Sequence, residues 1–118
     1  MTDYVILFPA DREDEWDRAT EAERQAIYDT DAEFGRLLEE RGGRITGGAE
    51  LASATRAHVV RRGAGEQPVV TDGPYAESAE QLSGFYLVST DDEDGLLEAA
   101  RVLVRSHPAV EIRVVATS

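Results

Sequence analysis

Among the residues able to move protons, Asp31 is singled out by its spacing. Ile27, Asp31, Phe34 and Leu38 recur at the 4-3-4 interval of one helix face, so a carboxylate falls among three apolar side chains. Burying an unpaired carboxylate costs several kcal/mol. Two arrangements avoid that cost. In one, the stripe drifts until Asp31 reaches solvent or pairs with Arg24 or Arg36; in the other, Asp31 is a partly desolvated acid facing a cleft between helix and sheet. Asp72 is a second candidate, because Asp72-Gly73-Pro74 is a strong turn signal. The turn either spends the Asp72 carboxylate on capping backbone amides or holds it in a pocket as a base or orienter. His58 shares a strand face with Arg56 and Val60 and is the imidazole offered for acid–base work if it points into a pocket. Asp31, Asp72 and His58 are therefore the catalytic candidates. Gly73, Pro74, Tyr75, Glu50, Tyr86, Trp16 and Tyr28 are candidates for lining a ligand pocket, against the plainer roles of turn, strand-end carboxylate and core aromatic. His107, before Pro108 at a helix end, reads as a structural cation at the helix C-terminus.

These residues need elements to hold them. Tyr4 to Phe8 is a continuous apolar run closed by Pro9 and predicts a buried strand. Thr20-x-x-Glu23 is a capping box that opens a helix running to Arg41, where Gly42-Gly43 stops it. Arg44 to Leu51 has strand character, and Gly47-Gly48 within it suggests a bulge or a close backbone approach. Ala57–Arg62 and Pro68–Thr71 read as a hairpin turning at Gly63-Ala64-Gly65-Glu66, and Phe85 to Val88 as another buried strand. Thr90-x-x-Glu93 predicts a second capping box. The helix after it carries the stripe Leu96, Leu97, Ala100, Leu103 and Val104, and ends at His107-Pro108. Val110, Ile112 and Val114 alternate with Glu111 and Arg113 in a half-buried closing strand. Two helices can cover only one face of four or five strands, which predicts an α+β fold: a ferredoxin-like antiparallel sheet with both helices on one side. Strands apolar on both faces would leave the other side of the sheet as an apolar patch, which favours association as a homodimer.

Composition narrows the function classes. The 118 residues suit a single domain over 1–118. Twelve basic against 24 acidic residues give a net charge of −12, which opposes binding to nucleic acid or anionic membranes. With no Cys and two His far apart, no disulfide, thiolate or His-rich metal site is expected, nor a cofactor. The acidic run Asp91 to Asp94 lacks the alternating ligands and glycine of a calcium loop. The start of the chain has no basic run, and Tyr4 to Phe8 is far shorter than the roughly 20 residues of a membrane span, so a cytoplasmic protein is expected.

The stretch Val70-Thr71-Asp72-Gly73-Pro74-Tyr75-Ala76-Glu77, followed by Glu80-Gln81-Leu82-Ser83-Gly84-Phe85-Tyr86, resembles the signature of the DGPF branch of the YCII-related proteins, with Tyr75 in place of the name-giving Phe. Tyr4 to Phe8, Gly47 to Leu51 and Val110 to Arg113 resemble flanking parts of the same family in the same order. The resemblance implies a dimeric α+β barrel built from two ferredoxin-like subunits, each with a cleft. Other members are proposed to use a His on the first long helix paired with an Asp. This chain has no His between Thr20 and Arg41, so that His is not carried over. Two functions of different class follow: a cofactor-free enzyme using carboxylate and His acid–base chemistry on a small molecule, or a non-catalytic ligand-binding or regulatory module linked to transcription control, as the family's association with alternative sigma factors implies. A cofactor-free monooxygenase, known among other dimeric α+β barrels, is a third.

Overall fold

The structure is a computed structural model in which residues 1–9, 18–52, 56–72 and 82–117 are described. Its elements run β1 (Thr2–Pro9), α1 (Glu21–Glu40), β2 (Arg44–Glu50), β3 (His58–Arg62), a 3-10 turn (Ala64–Glu66), β4 (Pro68–Asp72), β5 (Leu82–Thr90), α2 (Glu93–Ala100), a 3-10 turn (Arg101–Arg105) and β6 (Glu111–Val114). Four strands form an antiparallel sheet in the order β2-β5-β1-β6. With the two α-helices, this α+β arrangement is compatible with a ferredoxin-like fold. β3 and β4 pair only with each other, as a separate two-stranded hairpin inserted between β2 and β5. The sequence places this hairpin correctly, but it does not extend the sheet.

Strand alternation decides which side chains meet the helices. Tyr4, Ile6 and Phe8 of β1 point to one face and are buried there, opposite Val88, Tyr86 and Gly84 of β5. Phe34 and Leu38 of α1 and Leu96, Ala99, Val102 and Leu103 of the second helical segment close over them. Burial of each large side chain of this set stabilises the fold by about 1.5–3 kcal/mol. The opposite face of the sheet carries Val5, Leu7, Ala49, Phe85 and Leu87, and neither described α-helix lies over it.

Both ends of α1 follow from local chemistry. The Thr20 hydroxyl accepts from the Glu23 amide at 3.1 Å, and the Glu23 carboxylate accepts from the Thr20 amide at 3.1 Å, completing the capping box. Gly42 ends the helix at a φ of +84°, where a side chain would be strained. The second helix departs from expectation at its start. Its N-cap is Asp92, whose carboxylate accepts from the Gly95 amide at 2.9 Å. Thr90 instead accepts from the Asp92 amide at 3.1 Å. The Thr90-x-x-Glu93 pattern is therefore not a capping box, because the helix is capped two residues later, by Asp92.

The bulge foreseen at Gly47-Gly48 is present: Ile45 faces Val88 and Gly47 faces Leu87, so Thr46 is the extra residue. Gly48 has a φ of +149° and lies so close to β5 that a Cβ there would meet the Phe85 carbonyl oxygen and sit 2.8 Å from Tyr86 Cδ1. No helix among the described residues is long and apolar enough to cross a membrane.

Candidate functional site

The end of the sheet where β1 finishes, β2 finishes and β5 begins lies under the first half of α1. Register brings Ile6 and Gly48 to either side of Tyr86. The missing side chain at Gly48 leaves room for that ring. The Tyr86 ring meets Phe8 edge-on, with centroids 5.3 Å apart and planes at 89°, and stacks 6.4 Å from Phe34. From this position the Tyr86 hydroxyl donates to Asp31 Oδ2 at 3.0 Å. The carboxylate that looked out of place in the α1 stripe thus has a partner on the sheet.

Its other oxygen faces His107. Nε2 lies 3.4 Å from Asp31 Oδ1, and the two side chains are only 19% and 18% exposed. Three contacts place this imidazole. Its backbone N–H donates to the Leu103 carbonyl at 3.0 Å. Its ring lies 4.5 Å from that of Phe8. Two residues earlier, Arg105 Nη1 donates to Glu33 Oε2 at 2.9 Å, which clamps the segment to α1 two residues from Asp31. Because a carboxylate only accepts, a neutral His107 facing it carries its proton on Nε2. No described residue hydrogen-bonds to Nδ1.

A second phenol–carboxylate pair adjoins the first. Tyr28, about one turn before Asp31, donates to Glu50 Oε2 at 3.3 Å at the end of β2. Burial holds the Tyr86 proton well above the ordinary tyrosine range, and the Asp31 charge and hydrogen bond and then the Glu50 charge add to it. Tyr28 is shifted the same way by partial burial and by Glu50, with Arg24 opposing and Asp31 adding. Each tyrosine feels both carboxylates, so the two pairs form one electrostatic cluster. At neutral pH both phenols remain hydrogen-bond donors.

The cluster therefore holds Asp31, Tyr86, Tyr28 and Glu50 of the residues singled out in the sequence. It does not hold His58 or Asp72. Those two lie directly opposite each other across the β3–β4 hairpin, His58 Nδ1 lying 3.2 Å from Asp72 Oδ1, and their side chains are 67% and 96% exposed. Cross-strand register thus joins these two to each other in solvent, while of the residues offered for the pocket Tyr86 is the one that meets Asp31. Trp16, Gly73, Pro74 and Tyr75 lie outside the described residues. Neither Arg24 nor Arg36 takes the Asp31 carboxylate through a direct ion pair; Arg36 turns outward to Glu40 at 2.7 Å. The imidazole that reasoning from the sequence missed is His107. It lies 76 residues from Asp31, so no local spacing links the two. The only signal was its place at the end of a helix that must pack beside α1. No group of three or more potential metal ligands occurs among the described residues.

Comparison with known proteins agrees with this architecture. A stretch of 61 residues, 52% of the chain, is 44% identical to the uncharacterized protein R00369 of Rhizobium meliloti (strain 1021), and the match spans 48% of that protein's length. The model of the YCII-related domain matches residues 2–117, and the chain belongs to the YCII-related family.

Proposed function

We propose that the cluster around Asp31 is a small-molecule site that performs acid–base chemistry without a cofactor. The observation that carries this reading is a single carboxylate shared between an imidazole and a phenol, at 3.4 Å and 3.0 Å, in a half-buried aromatic setting. His107 Nδ1 takes a proton from the bound molecule, Asp31 stabilises the resulting imidazolium, and Tyr86 holds Asp31 in place. Returning the proton to another atom of the same molecule gives an isomerisation; losing a leaving group gives an elimination. Tyr28 and Glu50 line the approach. The family's His–Asp partnership is here supplied from the opposite direction, with the Asp on the first long helix and the His after the second.

We read the chain as a cytoplasmic single domain of the DGPF branch, through its Asp72-Gly73-Pro74-Tyr75 sequence motif. We read it also as one half of a dimeric α+β barrel, because Val5, Leu7, Ala49, Phe85 and Leu87 share a face of the sheet that neither described α-helix covers. The test is a fragment library screened by ligand-observed NMR against the full chain and its His107→Ala variant. Hits are then incubated in D2O with each protein. Binders lost in the variant, some of them exchanging protons only with the wild type, support the enzyme. Binders lost in the variant with no exchange point to the ligand-binding module. Binders indifferent to His107 overturn the site.

A further inference from the structure

The side chains around Asp31 have committed their hydrogen-bond donors to one another. The Tyr86 hydroxyl donates to Asp31 Oδ2 at 3.0 Å and the Tyr28 hydroxyl to Glu50 Oε2 at 3.3 Å. The Nε2–H of a neutral His107 faces Asp31 Oδ1 at 3.4 Å. What is left over only accepts. His107 Nδ1 is bare, and among the described residues nothing pairs with Glu50 Oε1. The phenol oxygens keep their lone pairs. Two arginines of the neighbouring segments are committed elsewhere, Arg36 to Glu40 at 2.7 Å and Arg105 to Glu33 at 2.9 Å. Of the described arginines only Arg24 acts on either phenol, and at Tyr28 the Glu50 charge outweighs it. Asp31 and Glu50 therefore give this end of the sheet a negative potential, in a chain whose net charge is −12.

We propose, resting on the reading of this cluster as a ligand site, that its ligand is a small protonated amine, whose ammonium donates to Glu50 Oε1 while another of its hydrogens reaches His107 Nδ1. The donor count and the charge both select that class. A carboxylate or phosphate brings only acceptors to a site that has no donor to spare. Its oxygens would be left unpaired, at about 1–3 kcal/mol or more for each desolvated group, and would lie beside two like charges. An alcohol satisfies the acceptors and gains nothing from the two carboxylates. A cationic donor satisfies both. The Tyr28 ring, 46% exposed, adds an aromatic face on which a cation can rest. Tyr28 and Asp31, which hold the two acceptors, lie three residues apart on α1, roughly 4.5 Å along its axis. A ligand of a few carbons therefore meets both.

The test divides a fragment library into primary amines, alcohols and carboxylates of matched size and ring content. Binding is read by NMR well above the ordinary imidazole value of about 6.5, on the full chain and on His107→Ala, Glu50→Gln and Asp94→Asn. The last removes the same charge from the first turn of α2, beyond the other end of β5. Amines should dominate the binders that need His107. Glu50→Gln should weaken them by about tenfold, the loss of one charge-assisted hydrogen bond, while Asp94→Asn leaves them unchanged. In the wild type the Tyr28 and Glu50 side-chain signals should move with amines and not with carboxylates, a readout that needs no variant. Carboxylates that bind through His107 as often as amines would overturn the proposal and leave the site standing. Amines weakened equally by Asp94→Asn and Glu50→Gln would overturn it too, as attraction to a diffusely acidic surface. A library without a binder that needs His107 would remove the site reading and this inference with it.

Discussion

Replacing Asp31 separates a carboxylate that organises its neighbours from one that decorates a surface. In Asp31→Asn the side-chain carbonyl still accepts from Tyr86, so only the charge-assisted part of that bond is lost, about 1 kcal/mol. In Asp31→Ala the Tyr86 hydroxyl loses its partner and His107 Nε2 faces none, which raises the cost to about 2 kcal/mol after allowance for residual solvent access. For a chain of this length these losses lower Tm by about 4 °C and about 8 °C. An isolated surface carboxylate would give changes within about 0.5 kcal/mol for both. Thermal unfolding at pH 7 measures the difference. A second readout is the titration of the tyrosine ring carbons by NMR. Tyr86 and, by a smaller margin, Tyr28 should move back toward the ordinary value of 10.0 in Asp31→Asn, because Asp31 raises both, while Tyr4, held by burial and Glu93, stays put. In the wild type the folded state keeps the Tyr86 proton where the unfolded chain loses it. Its stabilising increment is therefore complete below pH 10 and disappears as the pH climbs toward the folded value. Unchanged stability in both variants, or a Tyr86 titration indifferent to Asp31, would refute the reasoning.

Three further outcomes follow from single contacts. Gly48→Ala forces a methyl against the Phe85 carbonyl and the Tyr86 ring at a φ of +149° and should destabilise by about 1–3 kcal/mol in chemical denaturation, with Tyr86 ring signals displaced. Thr20→Ala removes the capping box and should lower stability by about 1 kcal/mol; because the Thr20 amide bond holds the Glu23 carboxyl below its ordinary value of 4.5, the Glu23 share of the cap is present above that pH and is lost on acidification. His58→Ala, which breaks only a solvent-exposed pair, should change stability by less than about 0.5 kcal/mol at low and high salt alike.

Elements governed by neighbours in sequence were legible from the residues alone. The capping box at Thr20, the stop at Gly42, the bulge beside Gly47 and the hairpin at Gly63 to Glu66 each depend on contacts a few residues apart. The misfit of Asp31 in its stripe was legible for the same reason, and it pointed to a real tertiary demand. Its resolution was not legible, because Tyr86 is 55 and His107 76 residues away and only the β2-β5-β1-β6 order and the packing of the second helical segment on α1 bring them together. The same limit explains His58 with Asp72, which strand register joins to each other instead of to the cluster.

The protonation of the His107 ring tests the central claim most directly. With Asp31 fixing Nε2–H, long-range proton–nitrogen correlation spectra of the neutral imidazole should show Nε2 protonated and Nδ1 bare, and the bare Nδ1 signal should shift when a fragment from the binding screen is added. A neutral His107 protonated at Nδ1, or a ring whose nitrogens ignore both Asp31→Ala and every bound fragment, would contradict it.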